Sequence, residues 1–223
     1  MLRIAVELPA DFASPGEFLA DAQAYEAAGA EAVWLGPPGQ GPEHLTLLAA
    51  VAAMTSRLRL GASLGDTTGC PPALLADTVR TLERLSRNRV VLAVDAGRAP
   101  ELIAALRPAG APVRPVLVAG GGEADAERAA HLGDGLLHAH AGADDMDRVA
   151  GAFRRARELR PEEAFELWAR VPAPGGRAEW RAVLERCGEA GATGIVVAHA
   201  ANLLDILRNP EEDDRQDLAM AVG

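Results

Sequence analysis

The chain has 223 residues, with 49% hydrophobic and 24% charged, and a formal net charge of −10. This is enough for one domain with a substantial core, on the short side for a barrel. The acidic balance, with no Lys/Arg cluster uninterrupted by acids, excludes a nucleic-acid binder, and no basic amphipathic segment suits an anionic membrane.

Taken in chain order, short apolar runs alternate with stretches of helical period. The strand-like runs are Leu2–Leu8, Ala32–Leu35, Leu58–Leu64 and Arg89–Val94, then Pro115–Ala119, Gly135–His138, Glu166–Val171 and Gly194–Ala198. They read as near-continuous hydrophobic segments, as strands covered on both faces should. The helical stretches run over 16–28, 43–55, 72–86, 99–107, 123–132, 144–159, 176–190 and 200–207. Strict alternation predicts a parallel sheet, and eight units with right-handed crossovers predict a closed (β/α)8 barrel, a TIM barrel of α/β class. Ser14-Pro15 marks the start of the first helix, and Gly29 and Gly191 mark two helix ends. The barrel domain is expected over residues 1–208, with 209–223, which contains EEDD, as an acidic, loose tail.

Every apolar run is broken by Arg, Glu, Gly or Pro before it reaches membrane-spanning length. Cys70 and Cys187 form neither a disulfide framework nor a metal cluster, and strand-like sequence from Leu2 leaves no room for a signal peptide, so a reducing cytoplasm is the expected compartment.

Barrel function sits at the C-terminal strand ends. The polar or unusual residues there are Glu7, Ser63, Asp66, Asp95, the Gly120-Gly121-Gly122 turn, His138, His140, Arg170 and His199. Three glycines between a strand and a helix allow backbone N–H groups to approach an anion, next to the positive end of the helix; a plain tight turn is the alternative. His138 and His140 stand at i and i+2, so both imidazoles could face the mouth and, with His199, hold a metal for a hydrolase. Solvated or hydrogen-bonded polar residues are the favoured reading, and no metal site is expected. Trp34, Trp168 and Trp180 read as packing residues.

Three segments carry a resemblance: YEAAGAEAVWLG at 25–36, AAVAAMTSRLRLGASL at 49–64 running on through PPALLADTVRTLERLSRNRVVLAV at 71–94, and PVLVAGGGEADAERAAHLGDGLL at 115–137. In order and spacing they resemble the luciferase-like family of flavin- and F420-dependent oxidoreductases. The resemblance implies F420 or FMN across the mouth, its ring against Gly61, Ser63 and Leu64 and its phosphate on Ala119, Gly120, Gly121 and Gly122. It implies hydride transfer to or from a small organic substrate, or monooxygenation. Glu7, Asp66, His138 and His199 are the expected proton-handling residues. A non-prolyl cis peptide at Ser63-Leu64 and an ordinary strand end stand as equal alternatives. The family's Gly before the strand 4 Arg is here Asn88, the residue next most tolerant of left-handed backbone, so positive φ is expected there.

The sequence also departs from the family. Only Asp95 to Arg114 joins strands 4 and 5, where the family inserts a long roofing segment, and Pro37-Pro38 stand where cofactor-contacting residues are common. These departures keep open a degenerate member that binds a flavin without catalysis. The second predicted helix, EHLTLLAAVAAMT, is apolar around most of its circumference. With Leu74, Leu75, Val79 and Leu82 of the third helix beside it, and with the family's habit of pairing on this side, a homodimer through helices 2 and 3 is expected.

Overall fold

Each apolar run becomes a strand of one parallel sheet, closed in the order β1-β2-β3-β4-β5-β6-β7-β8. In the computed structural model the described residues are 2–36, 43–65, 70–107 and 115–210, without the side chain of Ala143. The expected tail therefore lies, except for its first two residues, outside the described residues. The elements are β1 (Arg3–Leu8), α1 (Pro15–Ala27), β2 (Ala32–Leu35), α2 (His44–Met54), β3 (Arg59–Leu64), α3 (Pro72–Ser86), β4 (Val90–Asp95) and α4 (Ala99–Leu106). They continue as β5 (Val116–Gly120), α5 (Glu123–Leu132), β6 (Gly135–His138), α6 (Met146–Leu159), β7 (Glu166–Val171), α7 (Arg177–Glu189), β8 (Gly194–Ala198) and α8 (Leu203–Arg208).

Local chemistry sets the joints. The Ser14 hydroxyl accepts the Glu17 N–H at the start of α1, with Pro15 where no N–H is needed. Gly29 and Gly191 take φ of 85° and 86° just past their helices, a region open to glycine at no steric cost. Asn88 has φ of 62°, as expected, and its neighbour Arg87 has φ of 59°. The Arg89 guanidinium donates to the carbonyls of Ala52 and Thr55, closing the C-terminal end of α2 from the start of β4.

The barrel interior is filled in layers. Trp34 on β2 lies opposite Gly61 of β3, and Trp168 on β7 lies opposite Gly194 of β8. A Cβ on Gly61 would fall 2.0 Å from the Trp34 ring, and one on Gly194 2.7 Å from that of Trp168, so each indole occupies the space its glycine leaves. The two rings meet at 6.4 Å, with Val91, Leu117, Leu137 and Val196 around them. All three tryptophans are buried, as expected of packing residues.

The barrel floor is polar. Glu166 holds Arg3 at 3.0 Å and Arg59 at 3.1 Å, and the Trp168 indole donates to its second oxygen at 2.7 Å. Outside the barrel, Leu45, Leu48 and Val51 of α2 and Leu75, Val79 and Leu82 of α3 face the core, leaving Met54, Leu74 and Leu85 exposed. No helix among the described residues is long and apolar enough to cross a membrane.

Candidate active site at the barrel mouth

Strand alternation decides which residues reach the mouth. Ala5, Trp34, Gly61 and Trp168 face the interior, so Glu7, Gly36, Ser63 and Arg170, each two residues further on, face it at the C-terminal end. Arg170 reaches across the opening. Its Nε lies 2.8 Å from Glu7 Oε2, and its Nη2 donates to Ser63 Oγ at 3.0 Å. The Trp34 indole N–H also donates to Ser63 Oγ, at 3.0 Å. With two donors already on its oxygen, the Ser63 hydroxyl has its own hydrogen left to give.

The Glu7–Arg170 ion pair is close but poorly aligned. Both Glu7 Oε2 and Arg170 Nε are buried without a well-directed hydrogen bond. Burial raises the Glu7 pKa above its usual value, and the Arg170 charge only partly opposes that rise. Gly36 makes room for this carboxylate, since a Cβ there would lie 2.5 Å from Glu7 Oε1. A desolvated carboxyl, a guanidinium and a hydroxyl thus converge from three strands on one opening.

The other expected site residues divide. Ala119 faces the interior, packed against the layer that holds the two indoles, whereas Leu64 packs outward among the helices. Gly61 meets Trp34 and lies below the mouth. The peptide joining Ser63 to Leu64 is trans, as are all those described, so the ordinary strand end is the form observed. Asp66 and Pro37-Pro38 lie outside the described residues.

The histidines do not converge, so the alternative in which His138 and His140 turn together into the mouth is not the arrangement observed. Leu137 occupies the inward position on β6, so His138 points outward, where it is buried edge-on to Phe153. Its Nε2 donates to the Gly121 carbonyl at 3.1 Å, and burial lowers its pKa. His140 is exposed, 3.9 Å from Asp145. His199 turns towards α1, with its Nδ1 2.9 Å from the Tyr25 hydroxyl; burial, aided by the Asp21 charge, pushes the Tyr25 pKa up to about 12. Among the described residues no group of three His, Cys, Asp or Glu is placed to hold a metal ion.

The glycine turn after β5 has a feature that sequence reasoning missed. The Gly121 N–H donates to Asp125 Oδ2 at 3.0 Å, so an anion already stands in the turn. The only sequence signal was an acid four residues after a glycine at a helix start. Arg170 was visible as a strand-end residue, but only its spacing of two from an interior Trp168 marks it as part of the cluster.

Comparison with known proteins gives a family match over the first part of the chain. Residues 3–105 match the family model for luciferase-like monooxygenases. An F420-dependent secondary alcohol dehydrogenase, solved with an F420–acetone adduct, superposes with a TM-score of 0.76 at 15% identity, covering 94% of this chain and 98% of its own. A coenzyme F420-dependent tetrahydromethanopterin reductase from Methanopyrus kandleri gives 0.75 at 12% identity, over 93% and 96%. A riboflavin lyase solved with modified FMN and riboflavin gives 0.74 at 12% identity, over 94% and 90%. No curated protein matches the chain by sequence. At these identities the superpositions establish the barrel fold.

Proposed function

We propose that this luciferase-like chain is an oxidoreductase that seats the ring of FMN or F420 across its barrel mouth, where a small organic substrate undergoes hydride transfer or monooxygenation. The observation that carries this reading is the cluster of Glu7, Ser63 and Arg170, set on the Trp34 indole at the end of the barrel where such enzymes work.

The residues fit a ring better than they fit its phosphate. The mouth offers a hydroxyl hydrogen on Ser63 and two buried polar atoms with no aligned partner, Glu7 Oε2 and Arg170 Nε. The expected phosphate position at Gly120–Gly122 is held by the Asp125 carboxylate. The bound ring supplies the redox chemistry, and the protein supplies position, charge and proton handling.

The roles of the chain's own groups follow from their environment. Glu7, with its raised pKa, holds a proton further towards neutral pH than an ordinary carboxyl and can give it to a substrate oxygen. Arg170 then stabilises the carboxylate that remains. Ser63 offers a directed hydrogen bond from the interior side, while Trp34 and Trp168 seal the barrel below.

Trp34 lies under the proposed ring position, so its fluorescence is the natural assay. Titration with FMN, F420 and riboflavin, corrected for ring absorbance, should give saturable quenching with at least one of them. Arg170→Met should weaken that binding by about tenfold, the usual scale for losing one buried charged contact. A strictly linear response to all three compounds in the folded wild-type protein sinks the proposal.

A further inference from the structure

Two glycine turns open on the mouth end of the barrel at helix N-termini: Gly120–Gly122 before α5 and Gly175–Gly176 before α7. The second follows β7, and barrels commonly hold phosphate in the loops after strands seven and eight. Backbone N–H groups and the positive helix end make each turn an anion position in principle.

In both turns the chain fills that position itself. The Gly121 N–H donates to Asp125 Oδ2 at 3.0 Å, and the Gly175 N–H donates to Glu179 Oε2 at 2.6 Å. Each acid stands four residues after its glycine, in the first turn of the helix, and its bond to the glycine just ahead of the N-cap closes the turn. The fit is close at α5, where a Cβ on Gly120 would lie 2.5 Å from Asp125 Oδ2; glycine is what lets the carboxylate lie there. The neighbouring cations are engaged as well. Arg128 pairs with Asp125 at 3.1 Å, and Arg177 pairs with Asp205 at 2.6 Å and donates to the Asn209 carbonyl. A phosphate entering either turn would meet a carboxylate where its own oxygens need to sit, with Arg128 and Arg177 already paired beside it.

We propose that Asp125 and Glu179 are specificity-determining residues that exclude phosphate from these two glycine turns, so that the preferred ligand is a ring compound without a phosphate there, an unphosphorylated flavin over its phosphorylated form. The ligand class rests on the ring position proposed above, whereas the closure of the turns does not.

The test uses the full chain, with Asp125→Asn, Glu179→Gln and the double variant, changes that keep side-chain size and hydrogen bonding. Melting temperatures confirm that each variant folds. Affinities for riboflavin and FMN are measured by tryptophan quenching, and inorganic phosphate is titrated while the backbone amide signals of Gly121 and Gly175 are followed by NMR. Wild-type protein should bind riboflavin at least as tightly as FMN, and phosphate should leave both amides in place. In the double variant FMN should gain about tenfold relative to riboflavin, the scale of removing a carboxylate beside an incoming anion, and phosphate should move both amides. Tighter binding of FMN than of riboflavin to the wild type overturns the proposal, as do wild-type amides that shift with phosphate or a double variant whose amides stay still. If neither flavin binds, the flavin preference fails and the phosphate titration alone decides whether the carboxylates close the turns; the ring reading fails only if F420 does not bind either.

Discussion

Arg170 balances Glu7, and the balance is testable through pH. Burial raises the Glu7 pKa above 4.5, so the folded state holds that proton more firmly than the unfolded chain does. The stability this gives is fully present below 4.5 and is lost as pH rises through the raised folded value. Arg170→Met removes the opposing charge, so its cost should grow with pH: small at pH 4 and about 2 kcal/mol at pH 8, the scale of leaving one member of a partly buried pair alone. Urea denaturation at the two pH values checks it, and an equal loss at both shows that the pair does not couple to Glu7 ionisation. Asn88 gives a second test. With φ at 62° it tolerates its place, whereas a β-branched residue does not, so Asn88→Val should lose about 1–2 kcal/mol and Asn88→Gly far less. Equal stability of the two variants would contradict that account. Asn88 was legible because a left-handed joint leaves a mark on a single residue. The site was only partly legible. Glu7 and Ser63 stand at strand ends and could be named, but whether a residue faces in or out depends on the parity of its strand, and this sent His138 outward and left Arg170 unweighted until its bridge between three strands could be seen.

The elements were more readable than the site, because strands buried on both faces leave unbroken apolar runs and Gly, Pro and Ser mark the joints. α2 tests that reading further. Its apolar residues do surround the helix, and α3 packs on one side, yet Met54, Leu74 and Leu85 remain exposed on the pair. Between them lies a groove of about 270 Å³ lined by Leu45, Thr46, Ala49, Thr78, Thr81, Leu82 and Leu85. We propose that a second copy of the chain covers this face around a two-fold axis, the small alanines Ala49, Ala50 and Ala53 permitting close approach. Light scattering at micromolar concentration should return twice the chain mass, and Leu85→Glu should shift it to one. A monomeric wild type would show that α3 alone is sufficient cover.

For the molecule as a whole, the barrel floor ties fold stability to acid. Burial by itself would raise the Glu166 pKa, but Arg59, the Trp168 indole and Arg3 outweigh it and the net shift is downward. Its contribution is therefore present above 4.5 and is lost as pH falls through the lowered folded value. Glu166→Gln should cost about 3 kcal/mol at pH 7, since two arginines lose one buried partner, and progressively less towards pH 3. A loss that does not shrink on acidification would mean that packing, not charge, is what the floor contributes. The same floor has a kinetic side. Seven of the eight strand pairs join neighbours in the chain, but β1 meets β8, and Arg3 bonds Thr193 across 190 residues. Closing so long a loop from the unfolded chain costs roughly 1.5 kcal/mol more than closing one between successive strands. The seam is therefore expected to zip last, once the other seven pairs have brought its two edges together. It is also where the ring should first part, and the amides of β1 should exchange their hydrogens sooner than those of β4, on the opposite side of the ring.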